Sequence, residues 1–118
     1  WFFSNRTPEE VVENCFARLG EDSYRVCLEL LLRPKVVWRA LTKTPVLVLG
    51  AGQDGCMKRK SVEHVAALYG VQAEFFEDMG HDLMLEPGWE RVAVRILRWL
   101  EELGLVTHTR ARQCAVPA

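Results

Sequence analysis

The 118 residues suffice for one small domain, and 15 basic side chains nearly cancel 16 acidic ones, which argues against a nucleic-acid or membrane-surface partner. No apolar run approaches the ~18 residues that a bilayer span needs, and the uncharged aromatic opening "WFF" lacks the basic start of a signal peptide. The four cysteines, Cys15, Cys27, Cys56 and Cys114, are widely spaced without a C-x-x-C pair, which reads as reduced thiols in a cytoplasmic protein. Neither they nor the histidines cluster at ligand spacing in the sequence, so no metal and no other cofactor is expected. The chain opens on Trp1 rather than Met, which points to a processed chain or a fragment.

The first third reads as helical. Thr7 is an N-cap candidate, Pro8 suits the first helical position, and Glu10 completes a capping box with Thr7. Val11, Val12, Cys15, Phe16 and Leu19 recur at helical spacing, and Gly20 can close that helix. A second helix is expected from Asp22 or Ser23, with Val26, Cys27, Leu30 and Leu31 apolar and Pro34 ending it. The segment "KVVWRAL" follows.

The character changes at Pro45. "PVLVL" is a continuous apolar run, as expected of a parallel strand buried on both faces. After the loop "GAGQDGCMKRK", Ser61 is the expected cap of a helix carrying Val62, Val65, Ala66 and Tyr69, which Gly70 stops. "AEFF" reads as a second strand. The loop "EDMGHDLMLEP" leads into the strongest helical pattern, with Trp89, Val92, Ala93, Ile96, Leu97, Leu100 and Leu103 on one stripe and Gly104 at its end. Residues 105–118 lack periodicity and are expected to be a disordered tail. Two strands cannot alone make a sheet buried on both faces, so further strands are expected from upstream residues or a partner chain.

The loop after the first strand admits two chemistries. Gly50, Gly52 and Gly55 have the G-x-G-x-x-G spacing of a dinucleotide-binding turn, and Glu77 ends the next strand about 20 residues on, where a ribose ligand belongs. Against this, "CMKRK" separates the glycines from the apolar helix, and Asp54 would set a negative charge beside a diphosphate. The alternative is an acid at a strand end, Asp54, with a histidine, His81, at the end of the next, 27 residues away. Asp78 and Asp82 flank His81 too closely to reach its ring comfortably, and "KRK" at 58–60 reads as a solvated loop face. His64 points off the apolar face of its helix and His108 lies in the tail, so both read as inert.

"GAGQD" after a buried strand, then a helix, a short strand ending in "MGH", and a long amphipathic helix ending in "RWLEEL" resemble the C-terminal end of the α/β-hydrolase family, over about residues 44 to 103. The resemblance implies an α/β fold in which residues 44–104 supply the last two parallel strands with their flanking helices. Residues 1–43 would belong to a helical lid. In that family the triad runs nucleophile, acid, histidine along the chain, which places the acid at Asp54 and the histidine at His81. His81 would relay the proton of a nucleophile's hydroxyl, while Asp54 fixes its tautomer. Trp38, Met79, Leu83 and Met84 are the candidate substrate-lining residues, with "WFF" a further lid candidate.

The chain departs from the pattern in lacking the nucleophile. None of Ser4, Ser23 and Ser61 lies in G-x-S-x-G, and Cys56 follows no elbow. The expectation is therefore the C-terminal portion of a hydrolase acting on a small ester or similar acyl compound. The nucleophile and the remaining strands would lie elsewhere in the parent chain or on a partner chain. The alternatives are a dinucleotide-binding module and a non-catalytic relative that binds a ligand or partner.

Overall fold

The computed structural model describes residues 2–21, 23–32 and 44–106. Trp38 and the rest of "KVVWRAL", His108, Cys114 and most of the expected tail lie outside these residues. The described chain is mixed α/β: α1 (Glu9–Ala17), α2 (Tyr24–Leu32), β1 (Val48–Ala51), α3 (Arg59–Leu68), β2 (Ala73–Phe76) and α4 (Trp89–Glu102). β1 and β2 pair in parallel, Val48 opposite Ala73 and Ala51 opposite Phe76. The crossover between them is α3, as a parallel pair requires.

Close approach explains two glycines of the turn. A Cβ on Gly50 would stand 2.6 Å from the Phe75 ring, and one on Gly52 would stand 2.5 Å from the Glu77 backbone. The core sits between the sheet and α4. Ala51, Met79 and Val92 are buried there, with Leu49, Phe76 and Leu83 packed around them. Arg95 of α4 grips Glu74 of β2 through two nitrogens, 2.5 and 2.6 Å from its carboxylate oxygens. That contact holds the Glu74 carboxyl below its ordinary range, the Arg95 hydrogen bonds being the main cause.

Two caps differ from their expectation. α1 begins at Glu9 with no side-chain cap, because the Thr7 hydroxyl donates instead to Glu86 Oε2 at 2.9 Å. α3 begins at Arg59, with Lys58 in the cap position and the Ser61 amide already bonded to the Lys58 carbonyl. The expected first strand also shifts, from residues 45–49 to Val48–Ala51. It is also less enclosed than its apolar sequence suggests: Val48 and Leu49 are only half-buried, as is every residue of β2. Among the described residues the sheet has these two strands alone.

Candidate functional site

Parallel strands end at the same edge, so the loops following β1 and β2 meet there. Backbone bonds lock them together. The Gly52 amide donates to the Phe76 carbonyl and the Gln53 amide to the Met79 carbonyl, both at 2.9 Å. This pairing sets Asp54, at the tip of one loop, against His81, at the tip of the other. His81 Nδ1 lies 2.9 Å from Asp54 Oδ2.

The rest of the Asp54 carboxylate is fixed from its own turn. Oδ1 accepts the amides of Cys56 at 2.7 Å and Met57 at 2.8 Å. Burial, which leaves the side chain 8% exposed, pushes its pKa upward. The Met57 amide, the His81 ring and the Cys56 amide outweigh that push and hold the carboxyl below its ordinary range. Asp54 is therefore an ionised, oriented acceptor. The His81 side chain is 36% exposed, so its ring is reachable from outside.

A third segment straps both loops. The Phe2 ring meets the His81 imidazole edge-on at 5.9 Å, and the Phe2 carbonyl accepts the Asp82 amide. The Asn5 amide donates to Gln53 Oε1, and Arg6 pairs with Asp78, which Arg91 also holds. The anchor is Glu86, 1% exposed. It accepts the Ser4 amide at 2.6 Å, the Ser4 hydroxyl at 2.5 Å and the Thr7 hydroxyl, while the Gly80 amide adds a fourth bond. Burial pushes the Glu86 carboxyl up, but these donors more than offset it and its pKa lies below the usual value. Gly80 is required beside it, since a Cβ there would stand 2.5 Å from Phe3 and Ser4 backbone.

The predicted substrate-lining residues fare unequally. Met79 is 0% exposed and belongs to the core, which closes it to a substrate, while Leu83 packs against that core and is half-buried. Met79 fills the space between Ala51 of β1 and Val92 of α4. Met84 is 66% exposed, and Trp38 is outside the described residues. A mostly apolar cavity of about 240 Å³ does lie beside His81, but besides Asp82 it is lined by Phe2, Phe3, Cys15, Phe16 and Leu19. The sequence marks "WFF" as a lid candidate, whereas Phe16 and Leu19 show only helical spacing.

Two further groups carry no local sequence signal. Glu86 sits in "LEP" like any loop acid, and its role comes from Ser4 and Thr7, distant in sequence, together with the Gly80 amide. Cys56 lacks ligand spacing in the sequence, yet the fold gathers Asp54, Cys56 and His81 within 4.8 Å of one another through one ligand atom each. His64, by contrast, is exposed on α3. No helix of the described chain is long and apolar enough to cross a membrane. Compared with known protein families, with characterised proteins and with solved structures, the chain finds no match.

Proposed function

We propose that the chain supplies the acid, Asp54, and the histidine, His81, of a nucleophile–His–Asp triad in an α/β-hydrolase-type enzyme acting on a small ester or similar acyl compound. The observation that carries this reading is the 2.9 Å Asp54–His81 contact at the shared strand edge. With Asp54 ionised, Nδ1 of His81 carries the hydrogen and Nε2 is the basic nitrogen. Nε2 takes the proton of the nucleophile's hydroxyl as its oxygen attacks the acyl carbon. The imidazolium, stabilised by Asp54, then returns that proton to the departing alkoxide. Water repeats the cycle on the acyl-enzyme, so ester and water become acid and alcohol. The cavity beside His81 suits a short apolar acyl group.

The nucleophile and the further sheet strands come, on this reading, from residues outside those described, either of the parent chain or of a partner. A cytoplasmic setting fits two cysteines, Cys15 and Cys56, that form no disulfide. The dinucleotide alternative is weaker on one observation. The Cys56 and Met57 amides, which would face a phosphate, donate to Asp54 instead.

The test is hydrolysis of a chromogenic short-chain ester by the protein with its nucleophile-bearing segment, paired with fluorophosphonate labelling. His81→Ala is expected to abolish turnover and labelling. Asp54→Asn is expected to lower kcat about 10⁴-fold, because the wrong tautomer becomes favoured. Turnover that survives both substitutions would reject the reading.

A further inference from the structure

The triad reading uses two members of a three-member cluster. The third, Cys56, is exposed, and its Sγ lies within 4.8 Å of ligand atoms on both Asp54 and His81. An imidazole nitrogen, a thiolate and a carboxylate oxygen together form a donor set for a borderline-soft divalent ion. The thiol excludes magnesium and calcium, which take oxygen ligands.

The geometry is close to what such an ion needs. Ligand atoms at ~2.0–2.3 Å from zinc, in a tetrahedron, stand about 3.3–3.6 Å from one another. His81 Nδ1 and Asp54 Oδ2, now 2.9 Å apart, need open only slightly to admit an ion between them. The thiol, within 4.8 Å of the other ligand atoms and on the same loop as Asp54, must approach by no more than about 1.5 Å. Outer support is already present. Asp54 Oδ1 stays bonded to the Cys56 and Met57 amides, which orients the carboxylate whether Oδ2 faces a ring or an ion. Three protein ligands leave one tetrahedral position, and the exposure of Cys56 and His81 opens it to water.

We propose that Asp54, Cys56 and His81 form a binding site for a zinc-class divalent cation. On binding, the Cys56 thiol releases its proton to solvent and the thiolate sulfur, a His81 nitrogen and Asp54 Oδ2 donate electron pairs to the ion. No electron is transferred. Where the hydrolase reading holds, the ion also withdraws His81 and Asp54 from proton transfer, so metal and ester turnover exclude each other. The binding itself does not depend on that reading.

The experiment is therefore a binding one. The reduced, purified chain is titrated with Co(II), then with Zn(II) to displace it. The expected result is uptake of one equivalent, a near-ultraviolet thiolate-to-cobalt absorption, and visible bands of tetrahedral intensity that zinc abolishes. Cys56→Ser should lose the near-ultraviolet absorption, and His81→Ala should weaken Co(II) binding about 100-fold. Cys56→His keeps a ligand, so it should retain cobalt while losing the thiolate absorption. Far-ultraviolet circular dichroism and melting check that each variant is folded. Absence of the thiolate absorption in the unaltered chain, its persistence in Cys56→Ser, or an unchanged affinity in His81→Ala would overturn the proposal.

Discussion

Glu86 shows how one buried carboxylate can hold a site it does not enter. Its oxygens collect donors from residue 4, residue 7 and residue 80, so it pins the strap and the histidine loop to one point. Glu86→Ala would leave the Ser4 and Gly80 amides buried without acceptors, and is expected to cost about 3 kcal/mol of stability by denaturant unfolding. Glu86→Gln keeps one acceptor oxygen and should lose less. The same carboxylate predicts a pH dependence. Its folded pKa lies below the 4.5 of the unfolded chain, so as pH falls the unfolded state takes up the proton first. The stabilisation is present above pH 4.5 and is lost as pH drops through the folded value. The melting temperature of the unaltered chain should therefore fall more steeply below that pH than that of Glu86→Gln. None of this was legible in sequence, because a glutamate before a proline carries no local signal, and its hydroxyl partners Thr7 and Ser4 lie 79 and 82 residues away.

At the scale of elements, what repeats locally was readable. The α4 stripe, the "AEFF" strand and the two-strand, one-crossover order follow from periodicity and from apolar runs. The Asp54–His81 contact was legible for a related reason: each residue lies in the loop that follows a strand, and parallel strands end at the same side of the sheet. What failed was decided by tertiary competition. Thr7 left its helix for Glu86, and Met79 entered the core instead of a pocket. The glycine turn illustrates how one spacing serves two designs. Gly50 and Gly52 are dictated by the approach of Phe75 and Glu77, with no phosphate required. Calorimetric titration with NAD, NADP or FAD is thus expected to give no micromolar binding. Gly52→Ala should instead destabilise the fold, by about 2 kcal/mol, since its Cβ meets backbone rather than a movable side chain. Micromolar nicotinamide binding that Gly52→Val removes would favour the dinucleotide reading.

Across the described molecule, Val48 and Leu49 of β1 and all of β2 stay half-buried, and large apolar side chains such as Phe16 at 55% and Leu19 at 64% exposure remain open to solvent. A sheet of this kind takes neighbours on its edges. On the triad reading proposed above, the 118-residue chain alone is expected to hydrolyse no chromogenic ester, with activity arising only when nucleophile-bearing strands are joined to it or added. Robust hydrolysis by the chain alone would move the chemistry elsewhere. The strap has a kinetic meaning of its own. Asp54 and His81 close a loop of 27 residues, whereas Ser4 and Glu86 close one of 82. The longer closure costs more chain entropy, and its contacts form late in a folding transition built on nearer ones. The dyad should thus be assembled before the N-terminal segment docks. Substitutions at Ser4 should then speed unfolding while leaving the refolding rate nearly untouched, so that the segment lining the cavity beside His81 is the last part to arrive and the first to leave.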